Sequence, residues 1–319
     1  MNLPKIHSIT KKIVVALLGS FLLLFLLFHA TANLFVLRHD DGTWYSAFCH
    51  FMGTNWIVKA FEFILLATIL LHMILTLYLA VTNRMSRPIR YHETQKSKTH
   101  TNSRLMVWTG ILIFVCLLLH FGDFYFVKTG LVKGQYMVQT EKLQDPEMIQ
   151  MVQYAQQSGM SIDEMINQIE AEANIFAKEY GDEYKPAEYI ARLRDKMDIL
   201  DILQRAYEED NISADSKWIR HLDYEEYQTI KRVMPDSKPE PDFYYMVREK
   251  FSHWNIVLYY LIFFFVLYMH MRHAVPSAFQ TLGLNNYKYN NAIEVLGKIY
   301  TWIVVLMFAA VPILIMLGL

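Results

Sequence analysis

Cysteine is scarce in this sequence: there are two among 319 residues, at positions 49 and 116. Two cysteines exclude a framework of several disulfides and a metal site built from thiolates. Long runs of lysine or arginine are absent as well, so the charge pattern predicts no nucleic-acid partner. What remains is an apolar chain, 54% hydrophobic and 14% aromatic, with a mean hydropathy of +0.17. Such a composition is typical of a membrane protein with a sizeable soluble portion.

Charge is unevenly distributed along the chain. Residues 128–253 contain 16 lysines and arginines against 25 aspartates and glutamates, whereas the rest of the chain contains 14 against 6. The chain therefore consists of a basic, apolar part that is interrupted by an acidic, polar one.

Five apolar segments are each long enough to cross a bilayer core, which takes about 20 residues. They predict an all-α fold: a bundle of five transmembrane helices, with a soluble helical insert between the third and fourth. The spans are 13–37, 56–82, 105–127, 255–279 and 296–318. The first resembles a signal peptide, with Ala30-Thr31-Ala32 as a cleavage site. Its apolar run continues through Leu37, so we expect it to be retained.

The lysines and arginines beside the spans predict the orientation of the chain. Basic residues cluster before the first span and between the second and third. The loop after the first span holds Arg38 beside two aspartates. We therefore expect the N-terminus on the cytoplasmic side, and the C-terminus and the insert on the outer side.

The sequence divides into a membrane domain at 1–127, an acidic insert at 128–253 and a second membrane domain at 254–319. Within the insert, Asp145-Pro146-Glu147 predicts the start of one helix. Ser161 and Glu164 predict a capping box at the start of another, and a third helix is predicted over 186–209. The insert contains no phosphate loop and no cluster with metal-ligand spacing. We expect a structural or docking role for it.

Four histidines lie deep within the first four spans, where an ionisable side chain is costly and usually functional. His29 and His120 lie 16 and 15 residues into the first and third spans, which run outward. At ~1.5 Å per residue, both lie roughly 22–24 Å from the cytoplasmic end of the core. His72 and His270 lie 16 and 15 residues into the second and fourth spans, which run inward. This second pair therefore lies near the cytoplasmic side.

Two pairs of histidines at matching depths predict two haems stacked across the membrane. Haem iron takes an axial imidazole on each face, and bis-histidine ligation leaves no position for oxygen, which suits electron transfer. His29 and His120 would hold the outer haem, and His72 and His270 the inner one. Small residues nearby, such as Ala30, Ala32, Thr109 and Gly110, leave room for a macrocycle, although close helix packing explains them equally well.

His273 competes with His270 as a ligand, because it lies three residues later on the same helical face. The predicted depth of the two side chains in the membrane does not show which of them is the ligand. The other seven histidines lie at helix ends or in loops, where solvation is the expected role. They are His7, His39, His50, His92, His100, His221 and His253.

The motifs around the four histidines resemble those of a known family, the dihaem cytochrome b membrane anchors of succinate:quinone oxidoreductases. The resemblance is to the five-helix, single-subunit form found in succinate dehydrogenases and quinol:fumarate reductases. It is carried by FHATANLFV at 28–36, LYLAVTNRMSRPIRY at 77–91, Thr109-Gly110 before His120, and HMRHAVPSAFQTLG at 270–283. It covers about 1–127 and 255–319 and does not extend to the insert.

The resemblance implies His270 as the fourth ligand, because the family's ligand precedes a glycine by thirteen residues and Gly283 has that spacing. It implies two haem b groups and a quinone, specifically menaquinone, in a bacterial inner membrane. It also implies a flavoprotein subunit and an iron–sulfur subunit on the cytoplasmic face. Dicarboxylate chemistry would then belong to a partner, and this chain would be the redox-active membrane subunit. A homodimer of the complex remains open.

Six polar residues are candidates for further roles. Five on the cytoplasmic side are candidates to contact haem propionates or the partner: Lys12, Arg87, Arg104, His273 and Gln280. Charge that only sets topology explains the lysine and the arginines, and a helix-end amide explains the glutamine. Glu62, inside the second span, is a candidate for a quinone site or a proton path, or for a structural pair.

Two other classes of protein stay open at this point. A cytochrome b anchor of a hydrogenase or formate dehydrogenase shares haem and quinone chemistry but has a different arrangement of histidines. A haem-free membrane scaffold or receptor would use the insert to bind a ligand. The proteins that copurify with the chain would distinguish the hydrogenase or formate dehydrogenase anchor from the succinate:quinone oxidoreductase anchor. A colourless purified protein would favour the haem-free scaffold or receptor.

Overall fold

The computed structural model describes residues 8–86, 101–143, 145–180, 186–208 and 217–319. Helices dominate the described residues, and three short strands lie between residues 136 and 241. The helices are α1 Ser8–Leu34, α2 Thr43–Thr54, α3 Trp56–Met85, α4 Thr101–His120, α5 Phe126–Lys128, α6 Pro146–Ser158, α7 Ile162–Tyr180, α8 Pro186–Glu208, α9 Tyr224–Val233, α10 Phe243–Ser252, α11 Trp254–Thr281 and α12 Asn290–Met316. The strands are β1 Tyr136–Gln139, β2 Trp218–Leu222 and β3 Glu240–Pro241.

Five of the described helical segments are long and apolar enough to cross a membrane, which indicates a multi-pass membrane protein. They are Ile9–Leu37, Trp56–Met85, Leu105–Lys128, Trp254–Thr281 and Asn290–Met316. Each contains nearly all of one predicted span. The five predicted transmembrane helices are therefore confirmed, and the observed helices extend beyond most of the predicted ends.

Two compact units make up the described chain. The first consists of residues 1–123 and 247–319 and contains four of the five apolar segments whole and most of the other, Leu105–Lys128. Within it, α11 and α12 pack closely against each other, α11 packs on α4 and α1, and α3 packs on α1. In the most apolar stretch of α11 and of α12, one third is buried, whereas 6% is buried in the corresponding stretch of α3 and of the segment that contains α4. The last two helices therefore form the packed centre of this unit.

The second unit consists of residues 124–246, whereas the sequence predicted an insert at 128–253. It contains an antiparallel sheet in the order β2-β1-β3, in which Val138 pairs with Ile219 and Tyr136 with Pro241. The sequence predicted helices in the insert, which are present, and did not predict this sheet. The strands are two to five residues long and their partners are distant in sequence, so no local alternation long enough to reveal them exists.

The predicted helix starts in the second unit are confirmed. Asp145 caps α6, and its carboxylate accepts hydrogen bonds from the backbone N–H groups of Glu147 and Met148. Ser161 and Glu164 form the reciprocal bonds of a capping box at the start of α7. The third predicted helix corresponds to α8. Aliphatic side chains of α8, Ile199 and Ile202, lie in one core with the sheet.

Candidate functional site

His29 on α1 and His120 on α4 face each other inside the membrane unit. Their ring centres are 6.1 Å apart and the ring planes are inclined by 79°. A metal–imidazole bond is about 2 Å long and the ring centre lies roughly 1 Å behind the nitrogen, so two imidazoles on one metal have centres roughly 6 Å apart. The two histidines thus have the separation that a shared metal ion requires.

A polar network on α1 and α2 fixes the His29 ring. The amide nitrogen of Asn33, one helical turn later, donates to the His29 backbone oxygen at 2.8 Å and lies 3.3 Å from the ring Nδ1. The Tyr45 hydroxyl donates to the Asn33 amide oxygen at 3.3 Å. Burial, together with the neighbouring Cys49, raises the pKa of Tyr45 well above its usual value, so this hydroxyl stays protonated and remains a donor. Because the Asn33 amide nitrogen is a donor, Nδ1 accepts in this arrangement and a neutral His29 carries its proton on Nε2. Ligation of a metal through Nε2 would need that proton on Nδ1 instead.

His120 is fixed from the opposite helix. Its Nδ1 lies 3.4 Å from the hydroxyl of Tyr260 on α11, and the two rings meet edge to face with centres 6.2 Å apart. Tyr260 is 3% exposed, so its position is set by packing. The Nδ1 of His120 therefore lies against an oxygen, whereas that of His29 lies against an amide N–H. Metal-bound histidines typically donate the N–H of their other ring nitrogen to an oxygen, as His120 can.

His72 on α3 and His270 on α11 are the second predicted pair. The Nδ1 of His270 lies 3.1 Å from the hydroxyl oxygen of Thr109 on α4. The Nδ1 of His72 is buried without a hydrogen-bond partner among the described residues.

Two glycines lie where these second-pair rings approach neighbouring helices. A Cβ atom at Gly19 of α1 would be 3.2 Å from Cε1 of His72, and one at Gly110 of α4 would be 3.5 Å from Cε1 of His270. Side chains there would take the space beside the imidazoles. The glycines therefore allow the two imidazoles to lie close against α1 and α4.

The residues fit two bis-histidine haems rather than a metal held by protein alone. Within the described part of the chain, no group of three or more histidines, cysteines, aspartates or glutamates could hold a metal ion. A haem needs only two axial protein ligands, because the macrocycle supplies the other four. Four histidines predicted in two pairs would meet that requirement. His72 and His270 lie beside glycines, whereas His29 and His120 lie beside aromatic rings.

The other candidate residues are dispersed. His273 and Gln280 line one cavity of about 460 Å³ between α11 and the start of α12, together with Arg272, Ser277 and Lys298. Successive residues of an α-helix are about 100° apart, so His273 is displaced by roughly 60° around α11 from His270. Depth did not separate these two histidines, but their surroundings do. His270 meets Thr109, whereas His273 lines the cavity.

The remaining predicted positions add little to either pair. Lys12 is exposed on α1, and Glu62 is partly exposed on α3; neither lines the cavity. Arg87 lies outside the described residues, and so does the side chain of Arg104. The structure therefore gives no contact for these two arginines.

Three polar contacts of the histidine rings were not assigned from the sequence. Thr109 was noted only as a small residue before His120, but it contacts His270. Asn33 was noted only as part of a motif, and Tyr260 was not singled out. An available signal was Asp123, a carboxylate within the third apolar segment, because such groups are usually paired with other polar groups.

Comparison of the chain with protein-family models, curated proteins and solved structures finds no match. The family resemblance drawn from the sequence motifs therefore stays a prediction. Any function must be argued from the arrangement of the residues themselves.

Proposed function

We propose that this chain is the dihaem cytochrome b membrane anchor of a succinate:quinone oxidoreductase. The observation that carries the proposal is the pair of facing imidazoles, His29 and His120, whose ring centres are 6.1 Å apart within an apolar bundle. The second pair, His72 and His270, lies on other helices of the same unit. Four histidines in two pairs are what two bis-histidine haems would use.

A bound haem supplies one-electron redox chemistry. The chain itself would bind each haem, orient it and shield it from water. His29 and His120 would be the axial ligands of the outer haem, and His72 and His270 those of the inner one. Asn33, Thr109 and Tyr260 hold three of the rings in place from the Nδ1 side. The surrounding apolar helices exclude water, so no protein group other than the ligands is needed at the iron.

The proposed partners follow from the same assignment. A flavoprotein and an iron–sulfur subunit would bind on the cytoplasmic face of a bacterial inner membrane, and a quinone, menaquinone by resemblance, would exchange electrons with the chain. The cavity lined by Arg272, His273 and Gln280 offers donors for a propionate or for the partner. Glu62 is a candidate for a quinone site or a proton path.

The ligand assignment is tested by two substitutions and one matched control. We expect His120→Ala to remove only the outer haem and His270→Ala only the inner one. Each variant would then retain about one of the two b haems per chain, measured by pyridine haemochrome on the purified complex. His273→Ala, three residues along the same helix, should keep both haems, because that side chain lines the cavity instead.

Two haems remaining in either ligand variant would refute the assignment. Loss of a haem in His273→Ala, together with two haems in His270→Ala, would move the inner ligand to His273. The partners provide a separate test. Copurification with a flavin-bearing dicarboxylate subunit supports the proposed class. A metal-containing hydrogenase or formate dehydrogenase subunit in its place would assign the chain to that other class of anchor.

A further inference from the structure

A chain of polar contacts leads away from the His120 ring. The Tyr260 hydroxyl lies 3.4 Å from Nδ1 of His120 and donates to Oδ2 of Asp123 at 3.0 Å. The Lys250 ammonium, on α10, donates to Oδ1 of the same carboxylate at 2.8 Å. Three elements thus contribute to one connected network that ends on a histidine ring.

The direction of the hydrogen bonds in this network is fixed by counting protons. A tyrosine hydroxyl has one proton and an ionised carboxylate has none. Because the Tyr260 proton is given to Asp123, the Tyr260 oxygen can only accept from His120. The proton of the neutral imidazole therefore lies on Nδ1, and Nε2 carries the lone pair that a metal ligand needs.

The network is held rigidly. Tyr260 is 3% exposed and its ring packs edge to face on Phe251, with ring centres 5.0 Å apart. Asp123 lies in a π-helical turn, Phe121–Tyr125, that follows α4 directly. Such wide turns often occur at functional sites, where they redirect one side chain without ending the helix. Here the turn carries the carboxylate that Tyr260 contacts.

We propose that Tyr260 is a positioning residue for His120, which it holds in the tautomer and orientation of an axial ligand, and that Asp123 and Lys250 fix the Tyr260 hydroxyl. This inference rests on the proposed function. Donation from Nδ1–H to an oxygen that is itself bound to a carboxylate increases the basicity of Nε2. A more basic ligand stabilises oxidised iron, so the network lowers the midpoint potential of the outer haem.

The test is Tyr260→Phe in the purified complex, which removes the hydroxyl and keeps the ring. Both haems should remain by pyridine haemochrome. The midpoint potential of the outer haem should rise by about 59 mV, a tenfold change in its one-electron reduction equilibrium. Its low-spin EPR signal should also change, and the inner haem should keep its potential. Asp123→Asn should shift the outer haem in the same direction by a smaller amount.

Tyr259→Phe is the matched control. It removes a hydroxyl from the adjacent residue, which donates at 3.0 Å to the Cys116 backbone oxygen on α4. The outer haem should be unchanged in that variant. An unaltered potential and EPR signal in Tyr260→Phe, or an equal shift in Tyr259→Phe, overturns the inference while leaving the proposed function intact. Absence of haem from the unsubstituted complex overturns both.

Discussion

The depth of each histidine in the membrane could be predicted from the sequence, because an α-helix rises by a constant distance per residue. With a rise of ~1.5 Å per residue, counting from the ends of the apolar segments places His29 and His120 at one depth in the membrane and His72 and His270 at another. The structure places the ring centres of His29 and His120 6.1 Å apart. Which side chain holds each ring could not be predicted, because Thr109 and His270 meet across 161 sequence positions. Contacts of that kind depend on helix rotation and packing, which depth does not specify.

Gly19 gives a prediction at the level of a single residue. We expect Gly19→Leu to displace the His72 ring, because even a Cβ at that position would be 3.2 Å from Cε1 of His72. The inner haem should be lost and the outer one kept, leaving about one haem per chain by pyridine haemochrome. The retained outer haem shows in the same sample that the bundle has folded.

Gly53→Leu is the matched control for that substitution. A Cβ at Gly53 meets nothing within 4 Å, and the residue lies on α2, away from both pairs in sequence. Both haems should remain in this variant. A full complement of inner haem in Gly19→Leu would show that the space beside His72 is not needed by a bound group.

At the level of elements, sequence signals were strongest where a local rule applies. The Asp145 cap and the Ser161–Glu164 capping box follow from a few adjacent residues, and both helix starts are confirmed. Strand β2 begins 82 positions after β1 and offers only five residues. Such non-local pairings leave no periodic signal in the sequence.

The start of α6 carries a charge interaction whose pH dependence can be measured. Lys196 on α8 donates to the Asp145 carboxylate at 3.2 Å and also to Glu147. Burial opposes ionisation of Asp145, but the bonds from Lys196 and from the backbone of Met148 and Glu147 outweigh it and lower its pKa. The pKa of Lys196 is raised: burial acts against this, and the two carboxylates outweigh it. The ion pair therefore stabilises the folded second unit.

We expect Asp145→Asn to lower the stability of the second unit by about 1–2 kcal/mol near neutral pH, because asparagine keeps the cap and removes the charge. The folded pKa of Asp145 is lowered from 3.8. Its contribution is therefore fully present above that unfolded value and disappears as the pH falls through the folded pKa. The measurement is the rate of limited proteolysis at α6 in the purified protein, compared between variant and unsubstituted protein over that pH range.

The exposed Asp201 on α8 supplies the control. Asp201→Asn makes the same chemical change at a site where burial is slight, so proteolysis at α6 should match that of the unsubstituted protein at every pH. A difference between Asp145→Asn and the unsubstituted protein that persists at the acid end would contradict the assignment of the effect to the ion pair.

For the whole molecule, the sequence predicted a basic membrane part and an acidic insert, and the chain does form two compact units, 1–123 with 247–319, and 124–246. The five spans were predictable because twenty apolar residues in succession have few alternatives to a membrane helix. The sheet in the second unit was not, and the role of that unit stays a prediction of structural or docking function. The proposed activity resides in the membrane unit, which contains all four histidines.

The most direct test of the central claim is a reduced-minus-oxidised visible spectrum of the purified complex, with haem and iron quantified per copy of this chain. The account predicts b-type spectra from about two haems per chain, each low-spin and bis-histidine ligated, and reduction of the haem by succinate. A colourless chain without haem would contradict the account and would direct attention to the second unit as the site of function.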